Sequence, residues 1–189
     1  MNDEGRRREI DLAKVHEFWQ RRAEAATFDD LVNLSNLEAD STRAMEKHKL
    51  EAEVMWRYVS PAPDDIFLDL GAGHGAWSVE FSDSVQHVDA VEYSAGMIAH
   101  ARENARREQC TNICFHHSPA QDFMTEKKYD KVLISGLCIY LTAGELNKLL
   151  AKVARYTNPG ARIVLRDGTA RDEEFILKDK YSQELQANY

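Results

Sequence analysis

The sequence predicts a doubly wound α/β domain, a mostly parallel sheet with an N-terminal helical segment in front of it. Three observations carry that prediction. Short apolar runs alternate with longer amphipathic ones, the arrangement of strands joined by crossover helices. The runs are apolar on both faces, as strands covered by helices on two sides must be. The first run, residues 66–70, opens directly into a glycine-rich turn, Gly71-Ala72-Gly73-His74-Gly75, where such a sheet binds its ligand.

The breaker Ser60-Pro61-Ala62-Pro63 precedes strand one (66–70), and a helix from about 76 to 83 follows the turn. Strand two is 88–92, and Ser94 stands where an N-cap is needed for a helix over 95–109. Residues 112–116 read as strand three, 131–135 as strand four and 145–156 as a helix. Asn158-Pro159-Gly160 reads as the turn into strand five, 162–166. Residues 172–188 read as a final helix, so the strands that would complete the sheet are expected to be missing. A bare edge of that kind invites pairing, with a second copy or a partner subunit. Upstream, residues 8–58 carry apolar positions at helical spacing: Phe18 and Trp19, Leu31 and Leu34, then Met45 to Tyr58. The division is therefore a helical cap segment, 1–58, and a cofactor-binding core, 59–189, in one domain overall.

Composition narrows the function. A chain of 189 residues, 43% hydrophobic and 30% charged, is long enough for one real core. A net charge of −8 disfavours a nucleic-acid partner, because its field repels a phosphate backbone. The run Arg6-Arg7-Arg8 and the arginines of 102–107 read as solvated surface. No apolar run approaches the roughly 20 residues of a membrane span, and no apolar stretch follows the N-terminal arginines as in a signal peptide, so a cytoplasmic setting is expected. Cys110, Cys114 and Cys138 form no C-x-x-C pair and read as packing residues in a reducing compartment. No metal site is expected: His116 and His117 point to opposite sides of a strand, and no helix offers a partner at i+4.

The glycine turn has several candidate ligands. No Gly-Lys-Ser/Thr occurs, which removes the P-loop, and the spacing Gly71-x-Gly73-x-Gly75 brings the third glycine one residue too early for the dinucleotide fingerprint. Asp69 ends strand one two residues before Gly71, where a carboxylate opposes a pyrophosphate and favours an ammonium or sulfonium. Glu92 closes strand two at the separation expected of an acid that accepts both hydroxyls of a ribose. A ligand with an adenosine-type ribose and an amino-acid-like cation satisfies both acids.

The ordered segments LDLGAGHG, VDAVEYS, SPAQDF, YDKVLISGLCIYL and NPGARIVLRD, spanning about residues 66–167, resemble the motifs of class I S-adenosylmethionine-dependent methyltransferases. Phe18-Trp19-Gln20-Arg21-Arg22-Ala23 and Val32-Asn33-Leu34-Ser35-Asn36 are similar to a segment of some small-molecule members. The resemblance implies a Rossmann-like methyltransferase fold with S-adenosylmethionine as cofactor and S-adenosylhomocysteine as product. It implies that Asp69, Gly71, Ala72 and Gly73 face the methionine part, that Glu92 holds the ribose, and that Tyr93 and Met97 pack on the adenine. Ala120 and Gln121 would meet the adenine edge, Ser135 and Gly136 the region of the sulfonium, and Arg22 the cofactor carboxylate.

Methyl transfer from a sulfonium is an in-line displacement that needs alignment more than acid–base chemistry. A hydroxyl acceptor would add a general base, for which Tyr140, Asp167 and His74 stand near strand ends; His74, inside the turn, reads as an exposed spacer. Strand four runs into Ser135-Gly136-Leu137-Cys138 rather than an Asn/Asp-Pro-Pro-aromatic signature, which argues against methylation of a flipped base amine. The expected function is methyl transfer to a small molecule of biosynthetic or natural-product type. The alternatives are an NAD-dependent oxidoreductase, which Asp69 and the lack of a Tyr-x-x-x-Lys pair disfavour, and a non-catalytic S-adenosylmethionine-binding partner subunit.

Overall fold

The computed structural model describes residues 10–27 and 41–167, with Tyr181–Ser182 and Ala187–Asn188. The helices are α1 (Leu12–Ala25), α2 (Ser41–Val59), α3 (Ala76–Ser82), α4 (Ala95–Arg107) and α5 (Ala143–Tyr156). The main strands are β1 (Ile66–Leu70), β2 (His87–Glu92), β3 (Ile113–His117), β4 (Tyr129–Ser135) and β5 (Thr157–Arg166). They form one sheet in the order β3-β2-β1-β4-β5, parallel at every pairing. The chain runs outward from β1 to β2 and β3, then returns across to β4. A crevice therefore opens between the carboxyl ends of β1 and β4, the position at which such sheets take ligands.

Alternation along each strand sends side chains to two covered faces. Leu68, Leu70, Val132 and Ile134 pack with Leu149 and Val153 of α5. Phe67, Val88, Ala90 and Leu133 pack on the opposite face with Phe81 of α3 and with Met55 and Val59 of α2. Full burial of each large apolar side chain contributes about 1.5–3 kcal/mol. Helix starts follow sequence chemistry: the Ser94 hydroxyl accepts from the Met97 amide, and Thr142 and Glu145 form a reciprocal capping box on α5.

Two helices stand ahead of the sheet. α1 docks on α4 and the end of β2: the Tyr93 hydroxyl donates to the Val15 carbonyl (3.1 Å), the Ser94 hydroxyl to Gln20 (2.9 Å), and His100 Nε2 lies 2.8 Å from the Ala23 carbonyl. Leu31, Leu34, Val32 to Asn36 and Arg6 to Arg8 lie outside the described residues. On α2 the apolar positions divide, Ala44, Met55 and Val59 facing inward while Met45, Leu50, Val54 and Tyr58 are exposed.

Three expectations need correction. Asn158-Pro159-Gly160 is no separate turn: β5 begins at Thr157 and absorbs the extra residues as an irregularity against Tyr129 and Lys131, with Gly160 at φ +83°. The helix expected over 172–188 is contradicted where the chain is described, because Tyr181–Ser182 and Ala187–Asn188 pair as short antiparallel strands, β6 and β7. Cys114 is exposed on β3, an edge strand, rather than packed, while Cys110 and Cys138 are half-buried. Among the described residues no strand joins the outer side of β5, where Ile163 and Leu165 are about half exposed. That apolar edge is the one at which the sequence leads one to expect a partner. No helix among the described residues is long and apolar enough to cross a membrane.

Candidate functional site

The glycine turn is fastened to the end of β2. The Gly71 and Ala72 amides both donate to the Val91 carbonyl, at 2.9 and 3.0 Å, and the Gly73 amide donates to Glu92 Oε2 at 3.0 Å. Gly71 and Gly73 hold φ of +80° and +56°, conformations that L side chains rarely adopt. At Gly71 an added Cβ would also press on Leu137, 3.2 Å away. The turn thus lies flat across the strand ends, with backbone instead of side chains toward the crevice.

Above it is a cavity of about 360 Å³, within the range typical of small-molecule sites. Gly71, Ala72, Gly73, His74, Glu92, Tyr93, Met97, Ser135, Gly136 and Tyr140 all line it, which brings together ten of the residues picked out in the sequence. Glu92 is buried; its Oε1 accepts from the Ser94 amide (2.8 Å) and its Oε2 from Gly73, and the Tyr93 amide also bonds the carboxylate, which keeps part of its accepting capacity. Two such oxygens side by side match a vicinal diol. Tyr93 is stacked on His16, ring centroids 3.9 Å apart, which holds its ring on the cavity wall. Ser135 and Gly136 are tied to β5, since Arg166 donates to the Ser135 hydroxyl and the Gly136 amide donates to the Arg166 carbonyl.

Five expected site residues lie elsewhere. Asp69 sits beneath the turn, not in the cavity: it is buried, and its Oδ2 accepts from the Ser78 hydroxyl of α3 at 2.6 Å. A strand residue two before the turn points down between sheet and helix, so its carboxylate orders the turn from below. Ala120 and Gln121 are buried beyond β3 without reaching the cavity wall, and Arg22 does not line it. Asp167 lies past the wall, where its Oδ2 accepts from the Cys138 amide (2.9 Å) and fixes the short turn that carries Tyr140.

His74 is no exposed spacer; it is buried, and its Nδ1 has no hydrogen-bond partner among the described residues. Burial, with His48 and His100 nearby, lowers it to about 4, so the ring is neutral at ordinary pH. Burial raises the Asp69 carboxyl to about 7, against the opposing Ser78 bond. The two groups have opposite linkage. Between roughly pH 4 and 7 the native Asp69 holds more proton than the unfolded chain, so falling pH adds stability. Between roughly pH 6.5 and 4 native His74 holds less, so falling pH removes it, and the slopes largely cancel. Asp69→Asn is therefore expected to lose stability more steeply than the parent from pH 6.5 to 4.5 in urea unfolding; parallel profiles would contradict this pairing.

Sequence reasoning missed the residues that the N-terminal helices bring in. Trp19 of α1 and Lys47, His48 and Glu51 of α2 line the cavity, with Trp77 and Arg166. Trp19 packs edge-on to Tyr140 (5.7 Å), His48 lies 4.8 Å from the Trp77 ring, and Glu51 pairs with Arg166 at 2.5 Å. Their signal was present only as helical amphipathicity, which does not say where a helix docks.

Comparison with known proteins agrees with this geometry. A family described as a methyltransferase domain matches residues 67–160. The chain is 29% identical over 157 residues to 23S rRNA (uracil(1939)-C(5))-methyltransferase RlmD of Shewanella halifaxensis, covering 79% of this chain and 32% of that protein. It thus spans about a third of that relative's length. Two solved structures share the fold. Haemonchus contortus phosphoethanolamine N-methyltransferase 1, in complex with phosphoethanolamine and S-adenosylhomocysteine, superposes with a TM-score of 0.72 at 19% identity over 82% of this chain and 32% of that one. N-methyltransferase NodS of Bradyrhizobium japonicum WM9, in complex with S-adenosylhomocysteine, does so at 0.66 and 14% identity over 80% and 72%. With the match covering β1 through the start of β5, and the motif-bearing strand ends around one crevice, residues 67–160 form a methyltransferase domain on a Rossmann-like fold.

Proposed function

We propose that the chain binds S-adenosylmethionine in this cavity and transfers its methyl group to a small-molecule acceptor. The observation that carries the reading is the Glu92 carboxylate, buried on the cavity wall, oriented by backbone amides at both oxygens and with accepting capacity left for hydroxyl hydrogens. A ribose diol fits that pair of acceptors, the open side of Gly73, where an added Cβ meets nothing within 4 Å, admits a close-lying chain, and Tyr93 and Met97 supply a flat apolar wall for adenine. The cofactor would supply an electrophilic methyl carbon on a sulfonium.

The protein's part is placement. Ser135 and Gly136 edge the methyl end of the cavity, and Trp19 and Tyr140 close it, keeping water from competing with the acceptor. Tyr140 and His74 are the groups placed to take an acceptor proton; the low pKa of His74 makes it a weak base but a good hydrogen-bond acceptor. We assign Asp167 and Asp69 to positioning, through the Cys138 and Ser78 contacts. The N-terminal segment acts as a cap on this reading, because α1 and α2 supply the roof of the cavity.

The likeness to an rRNA methyltransferase favours a second reading, an RNA acceptor. Against it stand the net charge of −8 and the roofed, 360 Å³ cavity, which leaves little room for a base carried on a polymer. Incubation with methyl-labelled S-adenosylmethionine, separately with pooled metabolites and with 23S rRNA, followed by mass spectrometry, tests the choice. Label in a metabolite is expected; label in the RNA alone would overturn the small-molecule acceptor, and label in neither with the cofactor bound would favour the non-catalytic binding subunit.

A further inference from the structure

On the far side of β2 from the turn, two adjacent strands present metal-ligating side chains to one face. In the parallel register Asp89 pairs with Cys114 and Val91 with His116. Side chains two apart on a strand share a face, so Asp89 on β2 and Cys114 and His116 on β3 point the same way, with His87 two residues before Asp89. This is a cross-strand grouping, invisible when one strand or one helix is read at a time.

The donor atoms of Asp89, Cys114 and His116 all lie within 4.8 Å of one another. Asp89 is 1% exposed, and its Oδ1 meets His116 Nε2 at 2.7 Å and His87 Nε2 at 3.2 Å. Its other oxygen is held from behind, accepting from the Tyr129 hydroxyl at 3.0 Å and from Lys127 Nζ at 2.7 Å. One carboxylate oxygen is therefore oriented by the protein, and the other is aimed at imidazole nitrogens with a thiol alongside.

We propose that Asp89, Cys114 and His116, with water completing the set, form a binding site for a zinc-type divalent transition-metal ion that staples edge strand β3 to β2. A set of one carboxylate, one thiolate and one imidazole suits zinc and not magnesium or calcium, which prefer oxygen alone. Bond lengths of about 2.0–2.3 Å place tetrahedral donors about 3.3–3.8 Å apart, so the Asp89–His116 contact must open from 2.7 Å while the remaining donors, now within 4.8 Å, adjust by about an ångström. Binding forms the metal–sulfur bond as the Cys114 thiol releases its proton to water, and the metal–nitrogen bond as the His116 proton shifts from Nε2 to Nδ1. Tyr129 then serves as the outer hydrogen bond that orients the ligating carboxylate. Lys127 is the competitor: its ammonium lies 3.0 Å from His87 Nε2 and on Asp89, but its side chain is half exposed on a flexible stem and can leave for solvent.

The site is tested on the full chain with Co²⁺ as probe. One equivalent is expected to give the sulfur-to-cobalt charge-transfer absorption and tetrahedral visible bands, and Zn²⁺ is expected to displace it and raise the thermal midpoint. Cys114 is exposed, so Cys114→Ser leaves the core intact and should abolish the charge-transfer band, as His116→Ala should weaken binding at least about tenfold. The double variant Cys110→Ser, Cys138→Ser should bind as the parent does, and Lys127→Met should bind more tightly. No band in the parent, a band that survives Cys114→Ser, or no gain in affinity from Lys127→Met would overturn the assignment and leave Asp89 as the centre of an ion-pair network.

Discussion

Glu92→Ala is expected to weaken S-adenosylhomocysteine binding by roughly a hundred- to ten-thousandfold in calorimetric titration, the largest effect of any single change in the cavity. Hydrogen bonds to a charged group are worth about 1.5–3 kcal/mol each, and the substitution removes those to both ribose hydroxyls. It also strips the Gly73 and Ser94 amides of their acceptor, so the turn loses its anchor to β2 and the thermal midpoint should fall as well. Glu92→Gln separates the two effects. One amide oxygen still accepts a backbone bond, so stability should recover more than affinity does. Equal affinity for parent and Glu92→Ala would mean that the diol does not lie here.

Gly96→Ala is expected to open the roof without unfolding the sheet. Gly96 lies in the first turn of α4, and a Cβ there would stand 2.8 Å from the Ala23 Cβ of α1, closer than two packed carbons can come. Something must move, and the lightly held element is α1, which would give up the Gln20–Ser94 and Val15–Tyr93 bonds and carry Trp19 off the cavity. A cap closed about a tenth of the time lowers apparent affinity about tenfold. Faster proteolysis within residues 12–25 should accompany the loss, while the global unfolding midpoint changes little. Adding Ala23→Gly returns the missing space and should restore affinity; a double variant as weak as Gly96→Ala alone would show that the contact is not the cause.

Much of the fold was legible because it depends on local chemistry. The continuous apolar runs of β1, β2 and β4, the glycine turn and the Ser94 cap each follow from a few neighbouring residues, and each stands within a residue or two of its expected place. Asp69 shows where such reading stops. The acid before the turn reads in the sequence as facing the cofactor, whereas in the fold its carboxylate accepts from Ser78, nine residues on. Only the tertiary angle between β1 and α3 decides between them. The cavity roof was hidden for the same reason, since Trp19, His48 and Arg166 come from three elements that meet only after packing. His74 was misjudged because a turn residue is normally exposed, whereas this one is buried near His48 of α2 and His100 of α4.

On the reading proposed above, this cavity takes an adenosyl cofactor whose ribose lies on Glu92. Calorimetric titration of the chain with S-adenosylhomocysteine and, separately, with NAD tests it most directly. One equivalent of S-adenosylhomocysteine is expected to bind, with affinity that drops in Glu92→Ala, and no comparable binding of NAD; binding of NAD alone would rule out an adenosyl-sulfonium site here.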